Sequence, residues 1–165
     1  MDFKVDFLLK HTSWSNYLKI TKELKIFDRT VDLFLVACTI GIYDDKRMEA
    51  DLSDEITSIG RNTFTINEDV NRITEFLFQN AILHSKTIDM DLESRKKIAF
   101  DLLSNNSEIT PQKLLIEFAN YGMSIINDCI TDNDLETIAN IKELLDKYIE
   151  NSIDSELGID IYSGL

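Results

Sequence analysis

Two histidines, two cysteines and a few acid–lysine neighbours are the residues of this 165-residue chain with catalytic or metal-binding chemistry. A metal site carried by a helix needs ligands three or four residues apart on one face, and His11 and His84 stand in no Glu-x-x-His or His-Glu-x-x-His spacing. Cys38 and Cys129 lie in the apolar stretches FLVACTIGI and MSIINDCI, with no Cys-x-x-Cys pair, so each reads as a small buried apolar residue. Neither glycine loop that cradles phosphate, Gly-x-x-x-x-Gly-Lys or Gly-x-Gly-x-x-Gly, occurs. Glu23-Leu24-Lys25 offers half of a metal-dependent nuclease motif, but such sites hold their carboxylates on adjoining strands, and here Lys25 falls on the polar face of a helical pattern. Arg95-Lys96-Lys97 is the densest positive patch; consecutive helical residues point around the axis, which makes it a solvated face rather than a phosphate clamp. His84, near a helix end, suits the negative pole of the dipole. The expectation is a protein without catalytic residues, metal or cofactor, one that works by binding.

The elements that would carry such a surface are helices. The chain has one proline, five glycines and no low-complexity tract, and its apolar residues recur at three and four. The length fits one domain. The fold class is therefore all-α: a single compact domain of six or seven helices over residues 1–151, built around a buried central helix at about 30–42, with residues 152–165 as a C-terminal tail. From Ser15 to Phe27 the residues Tyr17, Ile20, Leu24 and Phe27 form one stripe. From Thr30 to Ile42 apolar side chains cover the whole circumference, and Gly41 suits a cap or a close backbone contact. Asp44-Asp45-Lys46-Arg47 reads as an exposed turn. A short helix opening at Ser53 would bury Ile56 and Ile59. Thr65 and Glu68 have capping-box spacing before the stripe Val70, Ile73, Leu77, Ala81. A helix from Met90 to Ser104 turns Leu92, Ala99, Leu102 and Leu103 inward and ends at Asn105-Asn106-Ser107. Thr110 caps the next, with Pro111 at its first position and Leu114, Phe118, Gly122, Ile125 and Cys129 on the buried face. Asn133 and Glu136 repeat the capping spacing before Leu135, Ile138, Ile141, Leu145 and Tyr148.

Charge narrows the partners. The formal net charge is −13, and residues 98–165 hold 13 acidic against 3 basic side chains. Sequence-independent nucleic-acid binding depends on Lys and Arg neutralising phosphates, so direct nucleic-acid contact is not expected. The apolar run Leu33–Tyr43, interrupted by Cys38, Thr39 and Gly41, is far short of the ~20 residues of a membrane span, so no membrane partner is expected. No secretory leader pattern begins the chain, and the cysteines show no disulfide framework; the expected compartment is the reducing cytoplasm. In the tail, Leu157, Ile159 and Ile161 alternate with other residues, the spacing that puts three aliphatic side chains on one side of an extended strand. Such a strand docks either in a groove of its own domain or on a partner.

Residues 27–47 also carry a resemblance. Phe27-Asp28-Arg29-Thr30, the apolar helix through Gly41 and Ile42, and then Asp45-Lys46-Arg47 resemble small helical proteins encoded beside bacterial phosphorothioate DNA-modification and restriction systems. Those show a phenylalanine, a polar link, an apolar helix ending in glycine, and a basic turn; here Asp44 and Asp45 make the turn less basic. The resemblance implies a non-catalytic accessory or adaptor subunit of a phage-defence complex, docked on a larger ATPase or nuclease. Candidate partner-binding residues are Lys46 and Arg47 in the turn and Leu157, Ile159 and Ile161 in the tail. The alternative is an acidic decoy that occupies a nucleic-acid-binding protein by imitating phosphates. Oligomeric state is left open.

Overall fold

The computed structural model describes residues 3–100 and 109–157, with residues 152–157 as backbone only. The protein is mostly helical, as its apolar periodicity requires. Contacts group the residues into two compact units, the first ending at Ile125 and the second beginning at Ile126.

In the first unit the core helix α1 (Thr30–Asp44) buries Val31, Leu33, Phe34, Leu35, Ala37, Cys38, Ile40 and Gly41, so nearly its whole circumference is enclosed. Burying each large aliphatic or aromatic side chain contributes about 1.5–3 kcal/mol, so the enclosure of α1 contributes strongly to the core. It does not end at a glycine cap: Asp45 takes the left-handed conformation (φ 52°), its N–H bonded to the carbonyls of Gly41 and Ile42. Gly41 serves the close contact instead. A Cβ there would stand 2.1 Å from the carbonyl oxygen of Phe118, and one on Gly122 would stand 1.8 Å from that of Ala37. Both partners lie on α5 (Pro111–Asn127) and α1, so the two backbones touch where Ala37–Gly41 crosses Phe118–Gly122. Since the earlier residue of one helix meets the later residue of the other, they cross antiparallel.

Several expected elements differ. The stripe from Ser15 to Phe27 is not one regular helix: a 3₁₀ turn over Thr12–Asn16 leads into a π-helical turn over Lys19–Glu23, and the run stops there. The wider turn shows as Leu24 N–H bonding to Lys19 O, and Lys25 at φ 52° breaks the continuation to Phe27. The short helix expected from Ser53 is a strand. β1 (Phe7–Leu9) pairs antiparallel with β2 (Thr57–Ile59), Phe7 opposite Ile59 and Leu9 opposite Thr57. Ile59 is buried, as expected, but Ile56 only half so. The ribbon holds an aromatic cluster against α1: the Phe7 ring stacks on Phe64 at 4.1 Å and meets Phe34 edge-on at 5.4 Å. Phe64 comes from α2 (Arg61–Ile66), which contains Thr65. Thr65 is therefore not a cap; Asn67 is, accepting from Val70 N–H at 3.1 Å at the start of α3 (Glu68–His84). The buried face of α3 is Val70, Thr74, Leu77, Phe78, Ala81 and Ile82, whereas Ile73 is exposed. Thr74 is tolerated inside because its hydroxyl donates to Val70 O at 2.7 Å.

The helix expected from Met90 is α4 (Leu92–Phe100), capped by Asp91, which accepts from the N–H groups of Glu93 and Ser94. Leu92 is exposed rather than inward and Ala99 is buried; Leu102, Leu103 and the stop at 105–107 lie outside the described residues. Helix α5 begins at Pro111, with Leu114 N–H on Thr110 O, and buries Leu114, Phe118 and Gly122, while Ile125 is half-buried.

The second unit contains the end of α5, the turn after it, where Cys129 is half-buried, and α6 (Asp134–Leu157). Asn133 Oδ1 accepts from Leu135 N–H at 3.0 Å and Glu136 N–H at 3.3 Å, the expected N-cap. The Glu136 carboxylate does not close the box; it takes the Thr131 hydroxyl. Of the expected inward stripe only Ile141 is buried, and Leu135 and Ile138 face solvent. The helix also passes Asn151 and continues through Leu157, so residues 152–157 are helical, not extended. Ile149, Ile153 and Leu157 keep a four-residue period and no glycine intervenes before Gly158, which accounts for the continuation.

Candidate functional site

The basic turn after α1 is tied into the first unit. Arg47 Nη1 meets Glu117 Oε2 at 3.3 Å, Nη2 donates to Thr87 O at 2.9 Å, and the guanidinium lies 5.9 Å from the Phe118 ring centroid. The Glu117 side chain is only 9% exposed and needs these cations, Arg47 on one oxygen and Lys113 at 3.6 Å on the other. Around them the backbone of Met48 donates to Glu117 O, and Asn120 bridges Met48 O and the Trp14 indole. Asp44 accepts from Tyr121 and Asp45 from Lys86 N–H. The segment Asp44–Arg47 is thus a strapped corner rather than the exposed turn its composition suggests. Lys46 is its exposed member, with Nζ 5.4 Å from the Tyr121 ring centroid. Glu117, Asn120, Trp14 and Tyr121, which organise this corner, carry no sequence signal beyond polar residues interrupting an apolar helical face.

The other charged patch is structural as well. Arg95 donates to the carbonyls of Ile82, Leu83, Ser85, Ile88 and Met90, filling the unpaired carbonyl end of α3, and Lys96 pairs with Glu93. His11 caps the Thr12–Asn16 turn and lies 3.7 Å from Asp51. Asp51 is held below the usual carboxylate range, chiefly by the Thr12 hydroxyl bond at 2.6 Å. Cys38 is fully enclosed, and burial pushes its thiol far up; Cys129 is raised by burial and then by Asp128 and Glu143. Among the described residues no group of three or more His, Cys, Asp or Glu side chains could hold a metal ion.

Two surfaces remain. A shallow, mostly apolar groove of about 290 Å³ runs between β1 and the first turns of α5, lined by Val5, Leu8, Lys10, Gln112, Lys113 and Ile116. Large apolar side chains stand in solvent on the helices: Ile66 at 81%, Phe76 at 62%, Leu135 at 78%. Of the tail residues, Leu157 is the last residue of α6, and Ile159 and Ile161 lie outside the described residues. Among the described residues no helix is long and apolar enough to cross a membrane. Comparison with protein-family models, curated proteins and solved structures returns no match.

Proposed function

We propose that the chain is a non-catalytic interaction module, a cytoplasmic accessory or adaptor subunit that docks on a larger protein, the ATPase or nuclease of a bacterial phage-defence complex. The observation that carries the reading is the set of large apolar side chains left in water on helices whose other faces are buried, Ile73 and Phe76 on α3 and Leu135 on α6 among them. Such positions stabilise a complex rather than the isolated chain. The phage-defence clause rests on the resemblance over residues 27–47. That stretch forms α1 and the strapped corner after it, so it bears on the scaffold more than on the contact face. The test is affinity purification of the tagged chain from its native cells, followed by reconstitution from purified components. A stoichiometric partner that reassembles in vitro is the expected outcome; a monodisperse chain that recovers nothing, or that turns over a substrate alone, refutes the reading.

The acidic decoy is the second reading, favoured by the exposed carboxylates Glu136, Glu143, Asp146 and Glu150 on α6. Their number argues against it. Those four span about 21 Å of helix, whereas duplex DNA carries one charge per about 1.7 Å, roughly twelve over the same length. Competition with a DNA duplex for the captured partner separates the two readings.

A further inference from the structure

We infer that the outer face of α6 is the docking surface, and that its occupant is a basic amphipathic helix of the partner; this rests on the adaptor reading and names the chemistry of its contact. At 100° per residue, the buried Thr137 and Ile141 and the half-buried Tyr148 mark one side of α6. The rest of the circumference carries two stripes. One is aliphatic with Lys142 set into it: Leu135 (78% exposed), Ile138 (39%) and Ile149 (56%) fall within about 60° of each other. Beside it runs the exposed carboxylate row Glu136, Asp146, Glu143 and Glu150, in which the three glutamates repeat every seven residues, about 10.5 Å. Acidic groups on the same exposed side as aliphatic ones offer a partner helix both an apolar and an electrostatic contact.

Charge decides the occupant. The only cations on α6 are Lys142, 3.7 Å from Asp146, and Lys147. A second copy of the chain brings another acidic row and too few cations to neutralise it, and nucleic acid or an anionic lipid surface is repelled outright. A helix with its own aliphatic stripe flanked by Lys and Arg satisfies both stripes at once.

The test uses the full chain and three labelled peptides of about 24 residues: leucine at helical spacing flanked by Lys and Arg, the same leucines flanked by Glu, and the basic peptide with Ser for Leu. The basic leucine peptide repels itself and stays available. Fluorescence anisotropy should show binding of that peptide alone. Leu135→Ser, Ile138→Ser and Ile149→Ser together should weaken it by about tenfold or more while the chain keeps its helical circular-dichroism spectrum and a cooperative melt. Glu136→Gln, Glu143→Gln and Glu150→Gln should weaken it and flatten its salt dependence. Equal binding by the Ser-substituted basic peptide, undiminished binding to the triple-Ser chain, or no binding overturns the inference. A native partner that still co-purifies with the triple-Ser chain overturns the α6 face while leaving the adaptor reading standing.

Discussion

Gly122→Ala is the sharpest single test of the scaffold. The added Cβ would lie 1.8 Å from the Ala37 carbonyl oxygen and 2.6 Å from its carbon, both backbone atoms that cannot rotate away. Restoring ordinary van der Waals contact requires α1 and α5 to separate by roughly 1.5 Å, which loosens the packed side chains beside the crossing. Overpacking of this kind costs about 1–3 kcal/mol and occasionally more, and a rigid backbone clash belongs at the upper end. Alanine returns about 1 kcal/mol of helix propensity, which leaves a net loss of about 2 kcal/mol. At roughly 2–4 °C per kcal/mol for a chain of this size, the melting temperature followed by circular dichroism should fall by about 4–8 °C. Gly41→Ala meets the Phe118 carbonyl at 2.1 Å and should behave alike. The double variant should lose less than the sum, since one separation relieves both clashes. Gly60→Ala is the control: φ is −59° and nothing lies within 4 Å of the new Cβ, so it should be neutral or slightly stabilising. A Gly122→Ala protein melting within about 2 °C of the parent would refute the close crossing.

Three further outcomes follow from buried or charged groups. Asn120→Ala strands the buried Trp14 N–H and the Met48 carbonyl, which should lower the urea-unfolding free energy by about 3 kcal/mol; Trp14 is the only tryptophan, so its fluorescence follows the transition directly. Alkylation at pH 8 should modify native Cys129 slowly and Cys38 only after unfolding, because the thiolate is the reacting species and burial raises both thiols; a Cys38 adduct on native protein, read by mass spectrometry, would contradict its enclosure. Asp51 is depressed in the folded state, so the stability it lends is complete above the unfolded carboxylate pKa of about 4 and fades as pH falls through the lower folded value; Asp51→Asn should lower the melting temperature at pH 7 and leave it little changed near pH 2.

The parts of the fold legible in the sequence are those fixed by local periodicity and caps. Residues 30–44 are apolar on every side and form the enclosed helix; Pro111 and Asn133 mark helix starts because their local chemistry suits no other position as well. What the sequence did not disclose depends on distant partners. Thr57-Ser58-Ile59 becomes a strand only because Phe7–Leu9 lies beside it, and Phe7 in turn is anchored by Phe64 and Phe34. A three-residue strand is too short to show alternation. The seemingly inward residues Ile73, Leu92, Leu135 and Ile138 have the same hydrophobicity as core residues; their exposure is set by which neighbouring helix is present, a matter of tertiary placement.

The same distinction governs the candidate site. Lys46 and Arg47 are adjacent and both cationic, and composition treats them as one patch. The structure separates them by their partners. Arg47 faces Glu117, seventy residues on, whose carboxylate is 9% exposed and would be costly to bury unpaired. Removing that guanidinium for the sake of a partner would leave Glu117 with the exposed Lys113 alone, a loss that a single surface contact would struggle to offset. Arg47 is thereby committed to holding the corner after α1, while Lys46, with its ammonium over Tyr121 and open to solvent, is the cation of that pair left to meet another molecule. A docking surface on this chain must be sought where side chains have no such internal obligation. On α6 the ties are lighter: the Thr131 hydroxyl reaches Glu136 and Lys142 reaches Asp146, both at the surface, while Leu135 stands 78% exposed and gains by leaving water.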